Sequence, residues 1–449
     1  MATNSSISAP TFKNLSGGAA RAAPKILALM LLASAALMVA WSFAVPVFEG
    51  PDEPAHWRYA NYLNQNHALP LDSPSLPEAA SPPLYYLLIA PLAVDTNLPP
   101  IGYVGEEEGR RYFLFPPRMY QNTSGDLGRY WPFRAARLVS VLISIFTIWF
   151  CTLTGREASG SLGTGLLVGG LVAFWPIFTF RGMNVSNDSL LAMLSALALY
   201  LIVRLIKRGF TWGIGIFAAL AVAGAFLSKV AAIVLPVPLL LAIISEKVPW
   251  RAKLMRAGVL GAIMLVIVAP WLIRNQLLYG DLLGRTVIVK VATELGLLHR
   301  HSLGSAYFRQ TFPPLFIMSF IGYFGWLSLP LPLSVYWVYS IALVSAGACW
   351  IGGVFQGRID FRLSAILFSA IVLNLMVIVY LNFTQAQPQG RLMLPAFPAL
   401  ALLFGLGLES RRSWSEYCTR LTLVGLAVTN VIMLVFLVIP AYWPPVIIT

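Results

Sequence analysis

The sequence predicts an all-α membrane protein that crosses the bilayer many times and carries interfacial helices in a long first outer loop. Of its 449 residues, 58% are hydrophobic and only 11% are charged, whereas a soluble chain is about one quarter charged. The apolar residues fall into runs of about 18 or more, the length that crosses the hydrocarbon core of a bilayer. Backbone groups inside that core must bond internally, so these runs are predicted to be helices.

We predict about eleven spans on this length criterion. They cover residues 25–47, 135–155, 163–180, 189–206, 212–228, 230–246, 257–273, 332–352, 363–381, 393–408 and 421–440. Residues 1–24 are predicted to be a disordered N-terminal segment, 25–440 the transmembrane domain and 441–449 a short outer tail. The two long outer loops are 48–134 and 274–331.

The charge distribution orients the predicted spans. With the N-terminus in the cytoplasm, the inner segments hold 16 Lys and Arg against 5 Asp and Glu, and the outer segments hold the remaining 15 against 13. This is the positive-inside pattern of membrane proteins. It accounts for the net charge of +13 without a nucleic-acid partner, and none is predicted. An odd number of spans places the C-terminus outside.

An acidic motif directly follows the first predicted span. Residues 48–59 read FEGPDEPAHWRY and bring Glu49, Asp52 and Glu53 to the membrane exit. Prolines at 46, 51 and 54 stiffen the backbone there. A carboxylate held rigidly in a partly desolvated place is suited to act as a general base for a hydroxyl. The alternative is an ordinary solvated loop whose charged side chains reach the interface.

A second polar group occupies the short outer turn before the fourth predicted span, where residues 184–189 read NVSNDS. If the first and fourth spans are neighbours, Asp188 faces Asp52 across one cavity. Residues 187–189 are also typical of a helix N-cap, which is a purely structural role. The sequence leaves both interpretations open.

Isolated cations at the predicted outer boundary form a third group. They run against the positive-inside pattern, so each needs a partner. The cations are Lys229, Arg274, Arg309 and Arg391. A phosphate or pyrophosphate head group would serve, because arginine binds phosphate in a bidentate manner. Pairing with Asp52, Glu53 or Asp188 is the alternative.

These motifs, in this order, resemble the GT-C superfamily of polyprenyl-phosphate-sugar-dependent glycosyltransferases. The resemblance is nearest to bacterial membrane proteins whose first outer loop reads PDEPAH, as residues 51–56 do here. These are relatives of the protein O-mannosyltransferases and the lipid A aminoarabinose transferases. Residues 81–86, 187–188, 270–281 and 389–395 look like four further motifs of the family. Position 392 is leucine, where the family more often has tyrosine.

The resemblance implies an inverting transfer of a sugar from a polyprenyl-phosphate donor to a glycan, lipid or protein acceptor. The reaction would take place on the outer face of a bacterial plasma membrane. The base of the family corresponds to Asp52, with Glu49 as the alternative base and Glu53 and Asp188 as further catalytic candidates. Its phosphate-binding cations correspond first to Arg391. Lys229 and Arg274 follow as weaker matches, and Arg309 is a further phosphate-binding candidate by its predicted position at the boundary.

The other polar and aromatic side chains of these motifs are candidates for substrate binding. They are His56, Arg58, Tyr59, Tyr85, Asn187 and Gln389. No cofactor is predicted. A divalent metal occurs in this superfamily, and His56 with Glu53 or Asp52 is the one combination here worth naming as its ligands.

Two other classes of function compete with the transferase. A transporter or lipid flippase would place ionisable residues and broken helices near the membrane midplane, whereas this chain concentrates its charges at one face. A non-catalytic scaffold gives no reason for carboxylates and isolated cations to share that face. The sequence therefore favours the transferase.

Overall fold

The computed structural model describes residues 17–71, 76–94, 130–294, 300–411 and 416–443. This part of the chain is almost entirely helical. Its α-helices are α1 (Gly17–Ala44), α2 (Glu53–Asn66), α3 (Leu84–Ile89), α4 (Trp131–Ser159), α5 (Leu162–Ala173), α6 (Pro176–Gly182), α7 (Asn187–Arg208), α8 (Trp212–Ser228), α9 (Pro236–Ile244), α10 (Trp250–Tyr279), α11 (Arg285–Glu294), α12 (Phe312–Ile321), α13 (Leu333–Phe355), α14 (Phe361–Asn382), α15 (Phe397–Glu409), α16 (Glu416–Met433) and α17 (Ile439–Tyr442).

Short elements fill several of the connections between these helices. Strands β1 (Tyr323–Phe324) and β2 (Leu329–Pro330) form an antiparallel hairpin between α12 and α13. Single 3₁₀ turns cover Ala90–Leu92, Val230–Val234 and Gly390–Met393, and π-helical turns cover Tyr307–Thr311 and Leu434–Val438.

Seven described helices are long and apolar enough to cross a membrane, or up to eight if the bent pair α5 and α6 counts as one span. Three shorter apolar helices are Trp212–Ser228, Val230–Ile244 and Phe397–Glu409. Every predicted span falls on one of these helices, so the all-α membrane fold is confirmed. The count of eleven spans stays a prediction.

Helix boundaries depart from the predicted ones in two places. The segment 1–24 was predicted to be disordered. Its residues 1–16 lie outside the described part of the chain, and the rest belongs to α1, which begins at Gly17. Helix α10 runs on to Tyr279, beyond the predicted end of its span at 273, so Arg274 lies on a helix and not in a loop. The helix continues because leucines and polar helix-formers follow Arg274 until Gly280, whose φ of 67° ends it.

The bundle is organised around α4, which packs against α1, α5 and α7. Glycines bring α4 and α5 close together. A Cβ at Gly165 would lie 2.6 Å from the carbonyl oxygen of Thr152, so a side chain there would force the two backbones apart. Close approach through small residues is the usual way in which helices associate in membranes, because it maximises van der Waals contact.

The first outer loop is bent by two unusual backbone conformations. Phe48 and Asp52 have φ values of 69° and 68°, which non-glycine residues rarely adopt. Between them, Gly50 and Pro51 let the chain leave α1 and enter α2 within a few residues. Helices α2 and α3 then pack against each other over the N-terminal ends of α4 and α7, as expected for helices carried by this loop.

The predicted orientation can be tested by single-cysteine labelling in a background without the three native cysteines. Cysteine at Arg208 or Ala252 should react only after the membrane is permeabilised, because Arg208 ends α7 and Ala252 lies in the first turn of α10, both at helix ends that the basic residues predict to be inside. Cysteine at Ser302, an exposed position in the second predicted outer loop, should react with an impermeant reagent from outside. Labelling of Arg208 or Ala252 from outside would invert the orientation.

Candidate active site

Asp52 and Arg391 form the outermost ion pair of a polar cluster at one end of the bundle. Arg391 lies in the 3₁₀ turn Gly390–Met393, and its Nη2 is 2.5 Å from Oδ2 of Asp52. Asp52 stands at the N-cap position of α2, but its side chain makes no capping hydrogen bond. The left-handed backbone turns its carboxylate toward Arg391 instead. One third of the Asp52 side chain (33%) is exposed, so a substrate can reach it.

Asp188 lies behind this pair and joins three cations. Nη2 of Arg181 is 2.9 Å from Oδ2 of Asp188, and Nζ of Lys229 is 2.6 Å from its Oδ1. Nη1 of Arg391 is 3.8 Å from Oδ2 of the same carboxylate. Asp52 and Asp188 therefore meet through Arg391, as expected if the first and fourth predicted spans are neighbours.

The cap of α7 differs from the predicted one. Ser186, and not the stretch 187–189, is the N-cap residue: it has an extended backbone, and its hydroxyl oxygen accepts a hydrogen bond from the amide of Asp188. The prediction of the cap position was wrong because a serine one residue earlier satisfies the helix terminus equally well. The carboxylate of Asp188 is thereby left for the cations.

The cluster carries a surplus of positive charge and unused hydrogen-bond donors. Arg181, Lys229 and Arg391 stand against two carboxylates, which leaves one net positive charge among these five side chains. Within the described part of the chain, Nε of Arg181 and both Nε and Nη1 of Arg391 are buried without a hydrogen-bond partner. Buried donors without partners are costly, and an anionic ligand would satisfy them.

A small cleft opens beside Arg391, with about 240 Å³ of empty space that includes the solvent at its mouth. Its walls come from the first outer loop, α6, α12, the hairpin and the segment before α15. The polar side chains that line it are Arg181, Ser319, Tyr323, Gln389 and Arg391. A small reactive group bound there would lie against the guanidinium groups of the cluster.

A buried ion pair between Arg137 and Glu53 connects the first outer loop to α4. Nε and Nη2 of Arg137 donate to the two carboxylate oxygens of Glu53 at 2.9 and 2.6 Å, and both side chains are fully buried. Arg137 also donates to the backbone carbonyls of Ser42, Val45 and Pro46. This one side chain of α4 therefore fixes the end of α1 and the start of α2.

The sequence analysis missed Arg137. A signal was present, because an arginine just inside an apolar helix needs a partner. Besides its ion pair with Arg137, Glu53 accepts hydrogen bonds from the backbone amides of Gly50 and Val185. Its neighbour Asp52 points to the cluster, so the two adjacent carboxylates have separate partners.

Four predicted substrate-binding residues belong to a second polar group, between the first outer loop and the start of α7. Nδ1 of His56 is 2.9 Å from the hydroxyl of Tyr86, which also accepts from Nδ2 of Asn187 at 3.3 Å. Tyr59 stacks on Tyr86 with ring centroids 3.8 Å apart. Tyr86 was not among the predicted residues. The hydroxyl of Tyr85 bonds to that of Ser140. These side chains are buried and hold α2, α3 and α7 together.

The remaining candidates stand apart from the cluster. Arg274 lies over the ring of Trp271 and donates to the carbonyl of Pro70 at 2.6 Å. Arg309 is exposed, and Arg58 is half-buried on α2. The predicted alternative of carboxylate pairing thus describes Arg391 and Lys229. No contact of Arg274 or Arg309 with a carboxylate of the cluster occurs among the described residues.

Burial and neighbouring charges set the protonation of the loop. Burial raises the pKa of Asp52, but the positive charge and hydrogen bond of Arg391, together with the charge of Arg181, outweigh it and hold that pKa below its usual value. Burial lowers the pKa of His56 against the opposing effect of Glu78 and Asp52, so the imidazole is neutral at pH 7. Asp52 is therefore ionised and can accept a proton.

The named metal ligands are engaged elsewhere. Glu53 pairs with Arg137, and His56 contacts Tyr86. Over the ranges that the structure describes, no group of three or more His, Cys, Asp or Glu side chains is arranged to hold a metal ion.

Comparisons with known proteins agree with this architecture. Residues 130–273 match the family model described as dolichyl-phosphate-mannose-protein mannosyltransferase. The fold is similar to that of ArnT from Cupriavidus metallidurans, solved bound to undecaprenyl phosphate, with a TM-score of 0.53 and 16% identity over 92% of this chain and 74% of that one. No curated protein matches the sequence.

A second similar fold is the archaeal oligosaccharyltransferase AglB from Archaeoglobus fulgidus, solved with an inhibitory peptide and a dolichol-phosphate. The TM-score is 0.53 and the identity 13%, over 95% of this chain and 56% of AglB, so this chain spans little more than half of it. The resemblance predicted from the loop motifs is confirmed, and the chain is a multi-pass membrane protein with the GT-C fold.

Proposed function

We propose that the protein is an inverting glycosyltransferase that moves a sugar from a polyprenyl-phosphate donor to an acceptor hydroxyl. The observation that carries this proposal is the position of Arg391 between Asp52 and Asp188, with donors left unsatisfied beside a cavity. One end of the cluster offers a carboxylate to a nucleophile, and the other offers surplus positive charge to a phosphate.

The proposed reaction needs no covalent intermediate. The acceptor oxygen forms a bond to the anomeric carbon while the bond from that carbon to the phosphate oxygen breaks, which inverts the configuration. The proton of the acceptor hydroxyl passes to the carboxylate of Asp52. The phosphate leaves with the bonding electron pair, and its charge is stabilised by Arg391 and the cations around Asp188.

Donor binding would also prepare the base. Arg391 holds the pKa of Asp52 low in the free protein, and a carboxylate of low pKa is a weak proton acceptor. A phosphate that draws hydrogen bonds from Arg391 weakens its pairing with Asp52. The pKa of Asp52 then rises toward its usual value, so the carboxylate becomes more basic when the donor is in place.

The two structural relatives support the donor class, because ArnT was solved with undecaprenyl phosphate and AglB with a dolichol-phosphate. We place the protein in a bacterial plasma membrane with its N-terminus inside and the cluster facing out. The acceptor would be a glycan, a lipid or a protein.

Reconstitution with a panel of polyprenyl-phosphate sugars tests the proposal. The purified protein in lipid vesicles should consume at least one donor and release the polyprenyl phosphate in the presence of cell-envelope acceptors. Hydrolysis or transfer should stop when both Asp52 and Arg391 are replaced. Movement of the intact lipid across the bilayer without loss of its sugar would favour a flippase instead.

Arg391→Lys should weaken donor binding about tenfold or more, because lysine keeps the charge but loses the planar fork that binds two phosphate oxygens. Affinity is measured by titration with an isoprenoid phosphate in detergent. Arg362→Lys is the matched control, since Arg362 lies at the opposite end of α14 from the cluster and bonds Ser245 and Ala242. Equal affinities of the two variants for the isoprenoid phosphate would show that Arg391 does not bind the phosphate.

A further inference from the structure

Three aromatic side chains from distant parts of the chain hold the short segment that leads from α1 to Asp52. Nε1 of Trp443 donates to the carbonyl of Ala44 at 3.0 Å, and Nε1 of Trp326 donates to that of Phe48 at 3.4 Å. The hydroxyl of Tyr442 donates to Oε1 of Glu49 at 3.2 Å. Tyr442 ends the last described helix and Trp443 follows it, and Trp326 lies in the hairpin loop.

Glu49 is the centre of this arrangement. Only 1% of its surface is exposed, and the neighbouring Val45 and Phe48 are also buried. Tyr442 is the hydrogen-bond partner of its Oε1, and Oε2 is buried without a partner in the described part of the chain. Glu49 is therefore a poor candidate for the alternative base, because the acceptor has no route to it.

Gly325 lies close to both Glu49 and Tyr442, so the hairpin loop, the first outer loop and the last helix meet at this point. It has a φ of 59°, and a Cβ there would lie 2.7 Å from the hydroxyl of Tyr442 and 3.3 Å from Oε1 of Glu49. Any larger residue would push the tyrosine away from the carboxyl group. The same glycine lines the cavity beside Arg391, so this contact lies directly behind the proposed active site.

We propose that Glu49 and Tyr442 form a latch that positions Asp52, and that the latch is closed only while Glu49 carries a proton. The inference rests on the proposed function for its link to catalysis. Asp52 follows Glu49 by three residues, through Gly50 and Pro51, so displacement of the Glu49 side chain moves the base. Glu49 and Tyr442 are positioning residues, and neither touches the reacting atoms.

The charges around Glu49 give the direction of its response to pH. Burial raises the pKa of Glu49 from 4.5 to about 8, with a smaller contribution from Glu53 on α2; the Tyr442 hydroxyl from the last helix and Arg137 on α4 oppose the rise. The folded state thus binds a proton that the unfolded chain releases above pH 4.5. The latch is intact at neutral pH and below, and it is lost as the pH rises through about 8.

The physical reason is desolvation. A charged Glu49 has no second donor for its Oε2 and lies near the charge of Glu53. Water is the remaining source of hydrogen bonds, and the carboxylate can reach it only if the segment moves outward. That movement takes Asp52 away from Arg391 and the cavity, so turnover falls while the protein remains folded.

The pH dependence of turnover at saturating donor tests the latch. Above a pH near 8, wild-type turnover should fall about tenfold per pH unit. Glu49→Gln keeps an oxygen that accepts from Tyr442 but cannot ionise, so it should be active at neutral pH and lose this alkaline limb. A flat wild-type profile, or an alkaline limb unchanged in Glu49→Gln, would overturn the proposal.

Tyr442→Phe removes the donor without changing the shape of the side chain. It should lower turnover about 10- to 100-fold at neutral pH, with the KM for the donor unchanged, since misplacement of the base by about 1 Å has effects of this size. Tyr339→Phe is the matched control: Tyr339 is also buried, and its hydroxyl has no hydrogen-bond partner among the described residues. Equal turnover in the two variants would contradict the latch.

Hydrogen–deuterium exchange separates the latch from the proposed activity. Amides of residues 44–52 should lose protection in the wild type, but not in Glu49→Gln, when the two are compared at the same alkaline pH. Tyr442→Phe should lose it already at neutral pH. If these changes occur in a protein that consumes none of the donors, the latch is supported and the proposed transferase activity is excluded. Identical protection in wild type and Glu49→Gln would contradict the latch and leave the proposed transferase activity unaffected.

Discussion

Asp52→Asn is expected to lower turnover about 10²- to 10⁴-fold at saturating donor, the size of effect of a missing general base. Asparagine has nearly the same shape as aspartate and can still accept a hydrogen bond from Nη2 of Arg391, which is 2.5 Å from Oδ2 of Asp52 in the native protein. It cannot take up a proton. Folding and donor binding should therefore be preserved, and the loss should appear in the rate of transfer.

The matched control is Asp360→Asn, which makes the same chemical change at another helix start. Asp360 caps α14 by accepting from the amide of Leu363, and asparagine caps equally well, so turnover should stay within about twofold of wild type. Asp188→Asn should fall between the two, because Asp188 positions cations and takes no proton. If Asp52→Asn retains wild-type turnover within a few-fold, Asp52 is not the base.

Arg137→Met is expected to destabilise the protein by about 3–5 kcal/mol, because it leaves the carboxylate of Glu53 buried without its partner. The side chains of both residues are fully buried, and Arg137 also serves the carbonyls of Ser42, Val45 and Pro46. The free energy of unfolding in mixed detergent micelles measures this loss. Folded protein that survives should also show a displaced first outer loop.

A double-mutant cycle provides the control for this prediction. Glu53→Leu alone should also be strongly destabilising, whereas Arg137→Met combined with Glu53→Leu should cost clearly less than the sum, because no unpaired charge remains. A coupling of about 2 kcal/mol or more is expected for groups in direct contact. Strictly additive effects would show that Arg137 acts through packing and the backbone carbonyls, and not through Glu53.

The sequence predicted the parts of the fold and of the site that depend on local composition. Apolar runs long enough to cross a bilayer can satisfy their backbone only as helices, so each predicted span falls on a helix of the structure. The prolines and acidic residues after the first span likewise identified the loop that holds Asp52. Asp188, Lys229 and Arg391 stood out because isolated charges at a membrane boundary need partners.

The sequence did not predict which charges pair. Arg274 and Arg391 are both isolated cations at the predicted outer boundary, yet of these two only Arg391 reaches the carboxylates of the cluster, and Arg274 instead lies over Trp271. The partner of Glu53 is 84 residues away on α4. Such pairings depend on how the helices pack against one another, which cannot be derived from the spacing of residues along one sequence.

The sequence by itself determined the helical membrane fold, because hydropathy acts on each segment independently, and it indicated several of the charged residues that meet in the candidate site. Only the tertiary structure decided the roles of neighbouring carboxylates. Glu49, Asp52 and Glu53 lie within five residues, but they meet Tyr442, Arg391 and Arg137 respectively. Those three partners come from the last helix, a late loop and α4. Long-range packing therefore assigns one carboxyl group to a hydrogen bond, one to an accessible ion pair and one to a buried ion pair.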